Sequence, residues 1–212
     1  METFEVAILE LGVTELYLNQ RKLEAVKAQA QQEDFSGFAP LPVFDFGDGK
    51  PVLTDGHHRA FAAWQMGRPT LTVYWDKDTN TVSKVGQRLY RMALDWCRKA
   101  GIESVSQLQG RILQPASYEF FWLERCRRGN NLLTARNKAA LDKARTYAPE
   151  DYTLYGCEKN LSAFFYEDPQ GKLFKYYGGE LRQERGGRMD ELLRLVDLLA
   201  GHLRRWAASM AV

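Results

Sequence analysis

Two of the three histidines in the chain stand side by side, within Pro51-Val52-Leu53-Thr54-Asp55-Gly56-His57-His58-Arg59-Ala60. The order of residue types is that of a strand, a tight turn and the start of a helix. A helix N-terminus carries unpaired backbone N–H groups and a partial positive charge, so such a turn attracts anions. Gly56 lets backbone approach a ligand closely, Arg59 offers a planar fork to phosphate oxygens, and His58 offers one more hydrogen bond. Asp55 is placed to cap the helix, to orient a histidine, or to hold a metal-bound water. Adjacent residues on a helix diverge by about 100°, so His57 and His58 do not form the i, i+4 chelate of a metalloprotease. The chemistry read here is anion binding; an Asp-Gly turn that merely starts a helix is the plainer alternative.

Other residues offer weaker chemistry. Lys84, Arg88, Arg91 and Arg98 share the polar side of one helical stretch and make a nucleic-acid face, or else a solvated one. Arg125-Cys126-Arg127-Arg128 near Trp122, and Arg182 to Arg188 near Tyr176-Tyr177, would let bases stack while guanidinium groups hold phosphates. Their simpler reading is aromatic residues in the core and arginines in solvent. Cys97, beside Trp96, reads as a packing residue, and His202 as a structural or surface histidine.

Composition narrows the class. At 212 residues with 45% hydrophobic and 26% charged side chains, the chain can bury a core without metal or disulfide staples. Three widely spaced cysteines argue against a disulfide framework or a zinc clip. Met1–Leu11 lacks a signal-peptide pattern and no apolar run approaches a membrane span, so the expected setting is the cytoplasm, with no membrane partner. Residues 1–78 hold 7 Lys+Arg against 12 Asp+Glu, whereas residues 79–129 hold 9 against 4. The acidic third carrying the histidines is thus poorly suited to bind DNA by itself, because Lys and Arg supply most of that affinity.

The elements that must position the motif follow from pattern. An apolar stretch Phe4–Leu11, a helix through Leu23, Val26 and Ala30, a Gly47-Asp48-Gly49 hairpin between Val43–Phe46 and Pro51–Leu53, a helix over about 57–66, and a strand Leu71–Trp75 make residues 1–76 read β–α–β–turn–β–α–β. From Thr79 the period is helical: Val82, Val85, Leu89, Met92 and Trp96 point inward, and Gly101 stops the helix. Further helices are expected around 115–127 and 131–146. Strands follow at Tyr152–Tyr155, Leu161–Tyr166 and Leu173–Tyr177, with Asp168-Pro169-Gln170-Gly171 as a turn and Tyr177-Gly178-Gly179 ending the last strand. A terminal helix over about 188–207 carries a seam from Met189 to Trp206, which docks on the domain or pairs two copies as a homodimer.

Asp55-Gly56-His57-His58-Arg59, followed by an alanine-rich helix and Gly67 and preceded by Leu16-Tyr17-Leu18-Asn19 and Lys22-Leu23, resembles the signature of the ParB/sulfiredoxin superfamily. The likeness covers about residues 10–76. It implies a ParB/sulfiredoxin-like domain over 1–78; the patterns read above add residues 79–212 as a helical region with a small C-terminal β-sheet and the long terminal helix, an α+β chain as a whole. It also implies that Gly56, His57, His58 and Arg59 touch the phosphates of a nucleotide such as ATP, ADP or CTP, with Mg²⁺ near Asp55. Sulfiredoxins carry Gly-Cys-His-Arg, and His57 stands where their cysteine attacks, so sulfiredoxin activity is not expected. ParB partition proteins carry Gly-Glu-Arg-Arg, matched only at Gly56 and Arg59. ADP-dependent free-serine kinases share the Asp-Gly-His-His-Arg string itself, and in them a carboxylate activates the substrate hydroxyl; Glu10, Glu15 and Glu24 are the acidic candidates here. The implied activity is nucleotide-dependent phosphotransfer or nucleotide hydrolysis, with Asp55, His58 and Arg59 at the reacting phosphate. A non-catalytic ParB-like module that associates with DNA through Lys84, Arg88, Arg91 and Arg98 is the alternative.

Overall fold

In a computed structural model, which describes residues 2–33 and 37–184, the chain is a mixed α+β fold. Strands β1 (Phe4–Ala7), β3 (Leu41–Asp45), β4 (Pro51–Leu53) and β5 (Thr70–Trp75) form one sheet in the order β1-β5-β3-β4. The β3–β4 hairpin turns where Asp45 accepts the N–H groups of Gly47 and Gly49 at 2.7 and 3.0 Å, with both glycines at positive φ. Helix α1 (Gln20–Glu33) leads into β3, and α2 (His57–Gln65) links β4 to β5. Ala60, Phe61, Ala62 and Ala63 are buried, and the three alanines let α2 lie close to the sheet.

A two-stranded parallel pair joins β2 (Leu18–Asn19) to β6 (Ile112–Leu113). One apolar cluster runs from Leu11, Leu18 and Phe61 through Trp96, Tyr118 and Trp122 to Tyr155 and Phe165. The core is therefore continuous across the position, 78/79, where the sequence changes period.

Beyond it lie the short α3 (Thr79–Val82) and the long α4 (Lys84–Lys99), the latter capped by Ser83 Oγ, which accepts the Gly86 N–H at 3.0 Å. The inward seam expected from Val82 to Trp96 begins late: Val82, at the end of α3, and Val85, in the first turn of α4, are 40% and 50% exposed, while Trp96 is buried, as is Cys97 beside it. Leu94 instead faces Phe46 and Val52 of the hairpin, so α4 is held on two sides. A helical run follows: α5 (Pro115–Tyr118), a π-helical turn Glu119–Leu123, and α6 (Glu124–Thr134). Where one helix was expected over 131–146, the chain breaks after Thr134 and Asn137 caps α7 (Lys138–Ala144), accepting the Ala140 N–H at 3.0 Å.

The last described part is an antiparallel meander of β7 (Thr153–Cys157), β8 (Ala163–Glu167), β9 (Leu173–Tyr177) and β10 (Glu180–Gln183). Strand β10 was not expected. Gly178 and Gly179, at φ 62° and 90°, make a hairpin where the Tyr177-Gly178-Gly179 pattern predicts only the end of a strand. The expected terminal helix, its dimer seam, His202, Arg185 and Arg188 lie outside the described residues. Among the described residues no helix is long and apolar enough to cross a membrane.

Candidate functional site

The turn that enters α2 is clamped before any ligand is considered. The Thr54 N–H donates to the Pro42 carbonyl at 3.1 Å, and the Thr54 hydroxyl donates to Asp76 Oδ2 at 2.7 Å. The same carboxylate oxygen accepts the Thr81 hydroxyl at 2.8 Å, tying β4, β5 and α3 together. Gly56 then takes φ 82°, and a Cβ there would lie 2.7 Å from Leu41 Cδ2 and 3.1 Å from Arg59 Nη2. Only glycine fits this combination of left-handed backbone and close packing. No side chain caps α2: Asp55 does not fill that role, its side chain being 82% exposed with a carboxylate oxygen 3.8 Å from Arg59 Nη2. The first N–H groups of α2 are thus left without a capping side chain.

The histidines do not fan outward. His57 is 3% exposed, and its Nε2 accepts the Thr14 N–H at 3.0 Å; His58 Nε2 accepts the Asn19 N–H at 2.9 Å. With Nε2 occupied as acceptor, each neutral ring carries its proton on Nδ1. Both Nδ1 atoms face one oxygen, Glu15 Oε2, at 3.6 and 3.7 Å, just beyond hydrogen-bond length. The other Glu15 oxygen accepts the Tyr118 hydroxyl at 2.9 Å. Oε2 itself is shut off from solvent and has no direct partner.

Burial sets the protonation states. Desolvation pushes the Glu15 carboxyl up to about 7, against the opposing pull of the Tyr118 hydroxyl and of Lys22. Burial pushes His57 down to about 3, helped by its neighbour His58, and pushes His58 down to about 4, helped by Lys22. Near pH 7 the site therefore holds two neutral imidazoles around a carboxyl group poised between its acid and base forms. The contacts to the rings are polar, and ion pairing plays no part in them.

Just beyond Tyr118 the helix takes a π-helical turn. Its extra residue, marked by the Glu124 N–H donating to the Glu119 carbonyl, shifts the helical frame between Tyr118 and α6. Tyr118 and Trp122 then face Glu15, while Arg125 and Arg128 still turn inward. Sequence spacing gave no sign of this turn.

The acidic candidates separate. Glu10 and Glu24 are exposed; Glu24 accepts the Gln20 side-chain amide at 2.8 Å, and neither is brought to α2. Glu15 alone of the three meets the histidines. His57 and His58, both expected to touch phosphate, turn their ring nitrogens to the Thr14 and Asn19 N–H groups and to Glu15; the groups left to face a ligand are the turn backbone and Arg59. Arg59 Nη1 donates to the Ala39 carbonyl at 3.1 Å and lines a cavity of about 260 Å³ with Glu5, Leu41 and Thr70. For Mg²⁺, Asp55 is the only carboxylate in the 51–60 stretch, and no group of three His, Cys, Asp or Glu that could hold a metal occurs among the described residues. A divalent ion here would rest mainly on a nucleotide's own phosphates, with Asp55 as one ligand.

The expected nucleic-acid face divides. Lys84 and Arg88 are exposed, but Arg91 donates to the Phe46 carbonyl at 2.5 Å and Arg98 pairs with Asp48 at 2.9 Å. Two of the four cations are thus engaged by the β3–β4 hairpin. Nor are Arg125 and Arg128 solvated: they are 5% and 8% exposed, and pair with Glu167 at 2.5 Å and Glu184 at 2.8 Å. Arg125 lies 4.6 and 4.7 Å from the Trp96 and Tyr155 ring centroids, fastening α6 to the C-terminal sheet.

No family model matches the chain, and a search of curated proteins returned no match. Among solved structures, protein Atu1540 from Agrobacterium tumefaciens is similar over 34% of this chain and 37% of its own, at 23% identity and a TM-score of 0.31.

Proposed function

We propose that residues 1–78 form a ParB/sulfiredoxin-like domain that binds a nucleotide, or another phosphorylated small molecule, at the start of α2, and that Glu15 acts there as general base. The observation that carries this reading is the buried Glu15 carboxyl, held near pH 7 between two neutral imidazoles and the Tyr118 hydroxyl beside an uncapped helix N-terminus. A base is most effective when its pKa lies near the working pH. In a phosphotransfer, an acceptor hydroxyl gives its proton to Glu15 as its oxygen bonds to the terminal phosphorus. The bond to the leaving phosphate oxygen breaks, and Arg59 and the α2 N–H groups balance the charge left there. Water in place of the acceptor gives hydrolysis.

Calorimetry with ATP, ADP, CTP and GTP, with and without Mg²⁺, tests the binding. Arg59→Ala should weaken it by about 1.5–3 kcal/mol, the usual worth of a charge-assisted contact. Glu15→Gln should abolish turnover while leaving binding in place. Absence of heat from all four nucleotides would remove the reading.

A further inference from the structure

A second cavity, of about 570 Å³, opens between the Leu16–Tyr17 segment, the end of α4 and the β8–β9 turn. No residue of the Asp55–Arg59 turn lines it. Its size falls within the range of sites for small organic ligands. One wall is aromatic: Tyr17 and Phe121 lie with ring centroids 6.3 Å apart and planes tilted by 48°, and Trp96 continues the surface.

Six charged side chains line it, Lys99, Arg111 and Arg125 with Asp151, Glu167 and Asp168; Lys99 pairs with Asp95 at 3.0 Å, and Asp168 accepts the Gln170 and Lys172 N–H groups. Arg125 is paired with Glu167, as described. Arg111 is not: its guanidinium lies 5.6 Å from the Tyr17 ring centroid and donates one long bond, 3.4 Å, to the Ala100 carbonyl. Among the described residues no carboxylate comes within ion-pair distance of it, whereas Arg98, Arg125, Arg127, Arg128 and Arg182 all have one. A guanidinium has five N–H donors in a fixed fork suited to a carboxylate or a phosphate. Half-buried Arg111 thus presents most of that fork at the edge of an aromatic wall. Glu167, held in place by Arg125, lines the same cavity and can accept a hydrogen bond from an amine.

We propose that this cavity binds a planar ring bearing an acidic group, the acid on Arg111 and the ring against Tyr17 and Phe121. A mononucleotide and an aromatic carboxylate share that chemistry. The inference stands apart from the phosphate site at α2, because the two sets of residues do not overlap.

Isothermal titration of the full chain with AMP, and separately with 4-hydroxyphenylacetate, distinguishes the two sources. At least one probe should bind, and Arg111→Gln should weaken it by roughly tenfold or more. The titrations are repeated in the Arg59→Ala background, which weakens phosphate binding at α2, and the component lost to Arg111→Gln should persist there, which separates this site from the one at α2. Thermal melts establish that Arg111→Gln is folded; should it not be, Tyr17→Leu removes the ring while keeping the cation and must weaken binding as well. No binding of either probe at millimolar concentration overturns the proposal. So does binding that survives both Arg111→Gln and Tyr17→Leu.

Discussion

Replacing Glu15 by glutamine should change how the stability of the protein depends on pH, and by a predictable amount. In the folded protein the Glu15 carboxyl titrates at about 7, raised from an ordinary 4.5 by burial. Between these values the unfolded chain releases a proton that the native chain keeps. Stability from this group is therefore complete below about pH 4.5 and is lost as pH rises through 7. The difference corresponds to about 3 kcal/mol, at about 1.36 kcal/mol per pH unit. The histidines act in the opposite sense. His57 and His58 are held down to about 3 and about 4, so the unfolded chain takes up protons that the native rings refuse. Their contribution is present above about pH 6.5 and lost as pH falls toward 4.

The wild-type curve is the sum of these opposed limbs, flattened where they overlap. Glu15→Gln removes the falling limb and leaves the rising one. Urea denaturation followed by tryptophan fluorescence, from about pH 4 to pH 8, should show the variant gaining about 3 kcal/mol on the wild type across that range. The absolute offset is secondary, since the amide makes different hydrogen bonds with Tyr118 and the two imidazoles. Parallel curves, or a variant that loses ground as pH rises, would show that Glu15 is ionised in the folded state and would refute the argument.

Three further substitutions test the packing around the two sites. Gly56→Ala forces a Cβ at φ 82° to within 2.7 Å of Leu41 Cδ2, and should cost about 1–3 kcal/mol in a denaturation series. Gly129→Ala drives a Cβ against Met92 Cε and to 2.8 Å from Trp96 Cη2; it should cost a similar amount, roughly 1–3 kcal/mol, with part recovered by Met92→Ala. Arg125→Ala leaves Glu167 without its cation and should destabilise by about 3 kcal/mol, whereas the double change Arg125→Met, Glu167→Leu should recover most of that in the same assay.

Much of the first 76 residues was legible because its signals are local. Gly47-Asp48-Gly49 makes its hairpin, Asp55-Gly56 precedes a helix, and Gly67 at φ 79° follows its end, each through backbone preferences carried by the residues themselves. The β–α–β–turn–β–α–β order follows from them. What was hidden depends on partners distant in sequence. The early turns of α4 read as inward until β3 and β4 are seen to take Leu94 on another side. Arg125 and Arg128 look solvated until Glu167 and Glu184, 42 and 56 residues later, are seen beside them.

Glu15 belongs to the same class. Of the six glutamates upstream of the histidines, Glu10, Glu15 and Glu24 were the candidates, and nothing in spacing ranked them. The ranking comes from backbone donors. Thr14 and Asn19 give their N–H groups to His57 and His58, so the segment between them wraps the start of α2. Two adjacent side chains that diverge on the helix are thereby turned so that their Nδ1 atoms face a single carboxyl oxygen. That oxygen has the two Nδ1 atoms just beyond hydrogen-bond length and is buried, while Lys22, whose charge acts on Glu15, is exposed to solvent. Donors stabilise the carboxylate and burial opposes it, and burial wins by enough to bring the group to neutrality. A carboxyl in that balance is sensitive to any charge placed at the start of α2. A bound phosphate would raise its pKa further, so ligand binding and proton affinity are coupled through Glu15.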